Sequence, residues 1–194
     1  MKAVLASGNA GKVREFAQLL AARDIEVIPQ TAFAIAPPEE TGSTFRDNAL
    51  LKARHAAGLS GLAALADDSG IEVDALGGRP GVWSARYAGE GATDADNVAL
   101  LLRELAGVPA ERRSARYRCV LVFLRDAADP DPVVANGVWE GRILSAPRGS
   151  GGFGYDPIFQ PAGLSLAVAE LPAQQKNLIS HRAQALRALL AALP

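Results

Sequence analysis

The sequence is poor in the features that mark secreted and membrane proteins. Only one cysteine, Cys119, occurs among 194 residues, so no disulfide framework can form, and its apolar surroundings, CVLVFL, favour a buried thiol over a reactive one. No apolar stretch approaches the roughly 18 residues that a membrane span needs, and MKAVLASGN lacks the long apolar core of a signal peptide. We therefore expect a cytoplasmic chain with no membrane partner.

The chain also lacks an excess of charge of one sign. Its formal net charge is −1, which argues against nucleic acid as a partner, because surfaces that bind nucleic acid are usually basic. The local exception is RRSARYR, 112–118, where a solvated loop leading into a strand is the better interpretation. Lysine is scarce as well, since 16 arginines accompany only 4 lysines, and each lysine position is therefore informative.

What remains is an ordinary globular composition. With 49% apolar and 21% charged residues, the chain can bury a core in one domain, 1–194, or in two small lobes that share a sheet. The hydrophobic spacing predicts a mixed α/β domain with the strand in 116–126 placed centrally. The other predicted strands are 2–6, 26–29, one that starts at Leu62 and ends at the acids Asp67 and Asp68, 133–143 and 157–159. The predicted helices run over about 12–22, from the cap Thr44 to about 58, from near Asp94 with Thr93 as cap, and over about 180–193.

The segment SGNAGK, Ser7 to Lys12, follows the first predicted strand and leads into the first predicted helix. It resembles a phosphate-binding loop but fails the P-loop pattern, since Ala6 and Val13 occupy the places of the required glycine and of Ser or Thr. A tight glycine-containing loop at this point directs backbone N–H groups and the positive helix end at one place, where Lys12 adds a cation. A plain turn with a surface lysine explains the segment equally well.

Four acidic residues stand where a metal ion could bind. Glu39 and Glu40 precede the second helix, while Asp67 and Asp68 follow the third predicted strand, at the edge where open α/β sheets bind ligands. Carboxylates from a strand end and a nearby loop suit Mg²⁺, which takes a few protein oxygens together with water and substrate phosphates. Asp-Asp-Ser-Gly is also an ordinary turn sequence, so both interpretations stay open.

A second glycine-rich loop, GSGGFG at 149–154, formally matches G-x-G-x-x-G. The dinucleotide fingerprint must open a helix, however, and here Pro157 biases the preceding residue towards an extended shape. A flexible loop that presents Phe153 as a ring-stacking lid explains the segment better, and Phe153 as core filler is an equal alternative.

The last charged motif is KNLISHR. Ser180 can cap the final helix there and place donors from His181 and Arg182 near its positive end, although a capped surface helix start is the alternative. Three of the four lysines lie beside the candidate groups, which points to a polyanionic ligand; they are Lys12, Lys52 and Lys176. His55 is assigned no role.

In their order along the chain, five segments resemble the inosine/xanthosine triphosphate pyrophosphatase family, the HAM-type enzymes. They are SGNAGK, EETGSTFRDNALLKARHA, ADDSGIEVDALGGRPGVWSARYAG, GGFGYDPIF and KNLISHRAQAL, which run from residue 7 to about 186. Each segment is weak alone, whereas five in order with sensible spacing are highly specific. Asp47 and Gln175 depart from the Glu that is usual in the family, and neither falls on a position with a catalytic role.

The resemblance implies a role for each candidate residue. Asp68 is the proton acceptor and holds Mg²⁺ with Glu40, helped by Asp67. The residues that contact the triphosphate are Ser7, Gly8, Asn9, Ala10, Gly11 and Lys12. Ser69 contacts the substrate, and Lys52 and Lys176 face its phosphate or sugar. The residues that surround the base are Phe153, Gly154, Tyr155, Asp156, His181 and Arg182.

The resemblance also implies a fold and a reaction. The fold is elongated α/β, with two lobes about a long mixed sheet and a central cleft, in a homodimer. The reaction is hydrolysis of non-standard purine nucleoside triphosphates, in which Asp68 deprotonates a water for attack on the α-phosphorus, and donors from His181 and Arg182 meet a 6-keto oxygen that adenine lacks. The alternatives are a related enzyme for pyrimidine or modified triphosphates and a catalytically silent nucleotide-binding regulator.

Overall fold

A computed structural model of the chain describes residues 2–20 and 25–193. The helices are α1 (Ala10–Leu20), α2 (Phe45–Ser60), α3 (Asp94–Glu104), α4 (Ala173–Ile179) and α5 (His181–Ala192). The strands are β1 (Lys2–Leu5), β2 (Glu26–Pro29), β3 (Ala63–Val73), β4 (Ser114–Leu124), β5 (Val133–Ile143) and β6 (Phe159–Pro161). The mixed α/β class is confirmed, while the predicted end of the first helix, Ala21 and Ala22, lies outside the described residues. Within the described ranges, no helix combines the length and the apolar composition needed to cross a bilayer.

The six strands form one sheet in the order β2-β1-β3-β4-β5-β6. β1 runs parallel to both of its neighbours, so that Leu5 pairs with Pro29 of β2 and with Leu65 of β3. β6 is antiparallel to β5. β4 occupies an interior position, as predicted, and its second half, 119–124, is buried at every residue, because a strand covered on both faces needs apolar side chains on both.

Some elements differ from the sequence prediction. β3 does not end at Asp67 and Asp68 but continues to Val73, because both aspartates find cationic partners that a turn prediction cannot foresee. α4 was not predicted, since its seven residues are too short for a clear helical period. β6 begins at Phe159 instead of residue 157, because the Ile158 N–H donates to the Tyr155 carbonyl at 3.0 Å and closes a turn there.

The chain divides into two compact units. The first comprises Met1–Asp68, Cys119–Gly137 and Arg182–Pro194. Its core joins β1, β3 and β4 to the apolar faces of α1 and α5, and the side chains buried there include Leu5, Phe16, Leu65, Leu121 and Leu186. Each such side chain contributes about 1.5–3 kcal/mol when fully buried, so α1 and α5 are fixed to the sheet on the face that they share.

The second unit comprises Ser69–Arg118 and Val138–His181. The side chains of its core are on average larger than those of the first core, and the buried ones include Ile71, Leu101, Leu105, Ile143 and Phe159. Tyr117 packs edge-on against Phe159, with ring centroids 4.7 Å apart. α3 begins as predicted at Asp94, where Thr93 and Asp96 form a capping box.

Candidate active site

Asn9 caps α1 and redefines the predicted phosphate loop. Its Oδ1 accepts hydrogen bonds from the backbone N–H groups of Gly11 at 2.8 Å and of Lys12 at 3.1 Å, and asparagine is among the most favourable residues for this position. α1 therefore begins at Ala10, two residues before the start predicted at about Lys12. The loop proper is reduced to residues 7–9, and two N–H groups that were expected to face phosphate donate to a side chain instead.

Asp67 and Asp68 lie within β3, so their side chains point to opposite faces of the sheet. Both stand beyond the end of β1, whose last residue, Leu5, pairs with Leu65. The acids therefore lie beside the carboxyl end of β1, although they do not end β3. Because each carboxylate faces a different set of helices, the predicted pair of acids is divided between two sets of partners.

Asp68 is held by one face of α2. Lys52 donates to its Oδ1 at 2.8 Å, and Asn48, one turn earlier, donates from Nδ2 to its Oδ2 at 3.3 Å. The same Lys52 donates to Glu40 Oε1 at 2.7 Å, so two carboxylates converge on one ammonium group. Asn48 also accepts the Gly42 N–H at 2.8 Å and thereby ties the segment that carries Glu40 to α2.

The charges around Lys52 shift the pKa of both partners. Burial alone would lower the pKa of Lys52, but the carboxylates of Asp68, Asp67 and Glu40 outweigh it and the pKa is raised. Burial raises the pKa of Asp68 above its ordinary value, and Glu40 adds to the rise while Lys52 opposes it. The two carboxylates of Asp68 and Glu40 carry more negative charge than the single Lys52 ammonium neutralises. Asp68 can therefore attract a proton or another cation.

Asp67 faces α1 and α5 on the other side of β3. Lys12 Nζ lies 2.8 Å from its Oδ2 and Arg182 Nε lies 3.7 Å from the same atom. Burial would raise the pKa of Asp67, but the Lys12 ammonium and the Arg182 guanidinium hold it well below its usual range. Asp67 is therefore an ionised anchor for Lys12, and Arg182 is fixed further by an ion pair with Glu15 of α1.

The adjacent residues His181 and Arg182 have different surroundings. Arg182 is buried in the first unit against the acids Glu15 and Asp67, which raise the pKa of its guanidinium although burial opposes them. His181 is buried in the second unit, where its ring stacks on that of Tyr117 with centroids 4.6 Å apart and planes 6° from parallel. The two donors predicted to surround a base therefore contact different groups.

In the second unit, Asp156 is the centre of a cluster of donors. Its Oδ2 accepts from Lys176 Nζ at 2.8 Å and from the Phe153 N–H at 3.0 Å, and its Oδ1 accepts from the Tyr117 hydroxyl at 3.2 Å. Lys176 Nζ also lies 4.5 Å from the centroid of the Phe153 ring, in cation–π contact. Asp156 and Lys176 are both buried, so this predicted pair of site residues is brought together in one hydrogen-bonded group.

The other residues of this loop divide between surface and core. Tyr155 is buried and its hydroxyl donates to the Ser84 carbonyl at 2.8 Å, and burial raises the pKa of the phenol. The Gly154 N–H donates to Asp94 Oδ2 at 2.6 Å, with φ at 61°. Phe153 is half-buried and, together with α3, lines a groove of about 420 Å³, which agrees better with a surface platform than with core filler.

Three contributors to these contacts were missed in the sequence. Asn48 carries a local signal, because it precedes Lys52 by one helical turn and must share its face of α2. Glu15 carries a weaker signal of the same kind relative to Lys12. Tyr117 carries none, because its hydroxyl meets a carboxylate 39 positions away in the chain.

Glu40 and Asp68 are the carboxylates whose arrangement suits a divalent cation. They already converge on one cationic centre, the ammonium of Lys52, and Mg²⁺ is commonly bound by one or two carboxylates plus water and phosphate oxygens. Asp67 points to the other face of β3 and is engaged by Lys12. Within residues 2–20 and 25–193, no three or more His, Cys, Asp or Glu side chains are gathered into a closed metal site. The residues thus fit an open site that substrate and water complete.

Comparison with known proteins gives a consistent result along the whole chain. The sequence model of the Ham1 family matches residues 3–192. The dITP/XTP pyrophosphatase of Methylococcus capsulatus is 58% identical over 192 residues, covering 99% of this chain and 96% of the relative. The protein of the same name from Escherichia coli O157:H7 is 55% identical, covering 99% and 98%.

Solved structures agree with the sequence relatives. A HAM1 protein from Coxiella burnetii superposes with a TM-score of 0.91 at 49% identity, covering 99% of this chain and 98% of that one. The nucleoside-triphosphatase / dITP/XTP pyrophosphatase from Mycobacterium abscessus superposes with a TM-score of 0.78 at 43% identity, covering 100% of both chains.

Proposed function

The chain belongs to the Ham1 family, and from this premise we propose that it is a dITP/XTP pyrophosphatase. It hydrolyses the non-standard purine nucleotides ITP, dITP and XTP to the nucleoside monophosphate and pyrophosphate, which cleanses the nucleotide pool. Relatives that carry this enzyme name are 55% to 58% identical along nearly the whole chain, and this similarity supports the hydrolase class directly.

One observation carries the chemical part of the proposal. The buried Asp68 carboxylate is oriented by Lys52 and Asn48, and it shares its lysine with a second carboxylate, Glu40. A buried carboxylate with a raised pKa and a fixed orientation is what a general base requires. Two acids therefore meet a single lysine at this point.

We assign the metal-binding role to Glu40 and Asp68. Mg²⁺ bound there would neutralise charge on the triphosphate and stabilise the pyrophosphate leaving group. Asp67 acts from the other face of β3, where its carboxylate holds the Lys12 ammonium at 2.8 Å. Its direct ligation of the metal stays a prediction.

The remaining steps of the hydrolysis are assigned to side chains and backbone of the first unit. Asp68 accepts a proton from the attacking water, whose oxygen bonds to the α-phosphorus as the bond to the pyrophosphate oxygen breaks. Lys52 and Lys12 supply positive charge for the developing negative charge on the phosphates. The residues assigned to hold the triphosphate are Ser7, Gly8, Asn9, Ala10, Gly11 and Lys12.

The purine is assigned to the second unit. Phe153 supplies an aromatic face, and the buried side chains of Asp156 and Lys176 contact its backbone and its ring, while His181 stacks on Tyr117. Donation from His181 and Arg182 to a 6-keto oxygen stays a prediction, and the acid partners of Arg182 give that residue a second role in holding Asp67. A site built to donate to the keto group rejects adenine because its donors would be left without acceptors.

A panel of triphosphates tests the proposed function. Pyrophosphate release would be measured with Mg²⁺ for inosine, deoxyinosine, xanthosine, guanosine, adenosine, uridine and thymidine triphosphates. We expect release from the first three at rates at least about 100-fold above that from adenosine triphosphate, because a site with unsatisfied donors discriminates strongly. The reaction without Mg²⁺ is the control for the metal.

Each other outcome identifies an alternative. Release from pyrimidine nucleotides alone would indicate the related pyrophosphatase, and no release from any nucleotide would indicate a silent nucleotide-binding regulator. Full activity in the presence of a metal chelator would contradict the assignment of Glu40 and Asp68 to Mg²⁺. A homodimer and a cytoplasmic location stay predictions.

A further inference from the structure

In the second unit, the Asp156 carboxylate is both buried and surrounded by three donors. It is only 2% exposed, and a lysine ammonium, a tyrosine hydroxyl and a backbone N–H all donate to its two oxygens at 2.8–3.2 Å. Its own carbonyl accepts the Ala169 N–H at 3.1 Å. A side chain that is buried and surrounded by donors in this way is suited to hold its neighbours in place.

The backbone at Gly152 approaches this carboxylate closely. A Cβ atom added at Gly152, where φ is 75°, would lie 2.0 Å from Asp156 Oδ2. The loop thus passes directly over the carboxylate, and the next residue, Phe153, is tied to it by its N–H at 3.0 Å. The backbone that carries the Phe153 ring is therefore held by Asp156.

The same oxygen sets the position of a cation. Lys176 Nζ is 2.8 Å from Asp156 Oδ2 and 4.5 Å from the Phe153 centroid. The ammonium covers one face of the ring, so a nucleobase that stacks on Phe153 must use the opposite face. A cation on the near face makes the ring a better partner for an electron-rich base, since it withdraws charge from the π-system.

We propose that Asp156 is a positioning residue that fixes Phe153 and Lys176 as one stacking platform for the purine, and that it determines base affinity through this platform without touching the base. The inference rests on the proposed function, because it concerns the purine of the same substrate. A base stacked on an aromatic side chain gains about 1–3 kcal/mol, or roughly 5- to 150-fold in affinity. Loss of the platform is expected to remove most of that factor.

The test compares two nucleotides that differ only in the base with an inhibitor that has neither base nor sugar. The variant is Asp156→Asn, which keeps the shape and removes the charge, and Asp74→Asn is the matched control in the same unit, an exposed aspartate outside the site. Substrates are inosine triphosphate and the triphosphate of unsubstituted purine riboside, which stacks equally but has no polar group at position 6. Inorganic tripolyphosphate, which has no base, serves as a competitive inhibitor.

The expected pattern is specific to a positioning role. Asp156→Asn should raise KM about 10- to 100-fold for both nucleotides to the same degree, with kcat changed by less than about threefold and tripolyphosphate inhibition unchanged. Asp74→Asn should behave as the wild type. A penalty confined to inosine triphosphate would mean that Asp156 contacts the base edge and would overturn the proposal, as would a loss of tripolyphosphate binding.

A second variant keeps the proposal testable if Asp156→Asn fails to fold. Lys176→Met preserves length and apolar bulk but removes the cation, and it should give the same equal penalty on both nucleotides with unchanged tripolyphosphate inhibition. Weakened tripolyphosphate inhibition in this variant would instead assign Lys176 to the phosphates and refute the platform. If the wild type released no pyrophosphate from inosine triphosphate, the proposed function itself would fail, which is a separate outcome.

Discussion

Two lysine–aspartate pairs in this molecule have the same length and opposite surroundings. Lys52–Asp68 in the first unit and Lys176–Asp156 in the second each span 2.8 Å from Nζ to carboxylate oxygen, and all four side chains are buried. At Asp68 a second carboxylate, Glu40, shares the lysine. At Asp156 the additional contacts come from a tyrosine hydroxyl and a backbone N–H, which are both donors.

The difference shows that the groups around an ion pair determine whether its carboxylate is reactive or only holds other residues in place. Burial raises the pKa of Asp68 and the Glu40 carboxylate adds to the rise, so this group can take up a proton or help to hold a metal ion. A surplus of donors at Asp156 satisfies the carboxylate and fixes what surrounds it. The first pair is suited to chemistry and the second to geometry, although their residue types and distances are identical.

The largest predicted effect separates the two aspartates kinetically. Asp68→Asn removes the general base and should lower kcat by roughly 10²–10⁴-fold, whereas Asp156→Asn should act mainly on KM. Steady-state pyrophosphate release from inosine triphosphate measures both constants for each variant. Equal losses of kcat in the two variants, or near-normal turnover in Asp68→Asn, would break the distinction between a reactive and a positioning pair.

A smaller effect is expected at Gly42, whose backbone N–H ties the segment that carries Glu40 to Asn48. A Cβ atom at Gly42 would lie 2.6 Å from Asn48 Oδ1 and 2.9 Å from the Asn48 backbone nitrogen, so Gly42→Ala must push the Glu40 segment away from α2. We expect a loss of about 1–3 kcal/mol in the free energy of unfolding, as for other overpacked sites, together with a lower kcat/KM. Urea denaturation and steady-state kinetics check the two parts.

Gly58→Ala is the control for this substitution. Gly58 lies in α2, and an added Cβ would meet only Ala127 Cβ at 3.8 Å, an ordinary contact. Alanine there should stabilise the helix by up to about 1 kcal/mol and leave kcat/KM unchanged. If Gly42→Ala were as harmless as Gly58→Ala, the link from Asn48 to the Glu40 segment would not matter for the site.

The features that could be predicted from the sequence are those that depend on local physics. Thr44 and Thr93 were recognised as helix caps because a cap acts over three residues, and both accept the expected N–H in the structure. The scarcity of lysine was equally informative. Each of three lysines forms a 2.8 Å ion pair with an aspartate; Asp67 and Asp68 had been singled out from the residues and Asp156 through the family resemblance, and the pairs are Lys12–Asp67, Lys52–Asp68 and Lys176–Asp156.

The remaining features depend on contacts between distant parts of the chain. The Asp-Asp-Ser-Gly sequence favours a turn by local propensity, yet Asp67 and Asp68 are kept in a buried strand by cations from three helices. Once β3 is extended through both acids, alternation alone assigns them to opposite faces. Asn48 meets Asp68 across 20 positions and Tyr117 meets Asp156 across 39, and nothing local in the sequence encodes either pairing.

The smallest predicted effect concerns Asp74, whose exposed ion pair offers a baseline for both buried pairs. Arg116 donates to its two carboxylate oxygens at 2.8 and 2.9 Å, and with Ser114 it lowers the pKa of Asp74 below the ordinary value of about 3.9. A lowered pKa in the folded state stabilises the protein above that ordinary value, and the stabilisation is lost as pH falls through the folded-state pKa. Asp74→Asn should therefore cost less than about 1 kcal/mol at pH 7 and nothing near pH 2, as measured by urea denaturation at both pH values. A cost that grew as the pH fell would reverse the sign and would mean that Asp74, like Asp68, has a raised pKa in spite of its exposure.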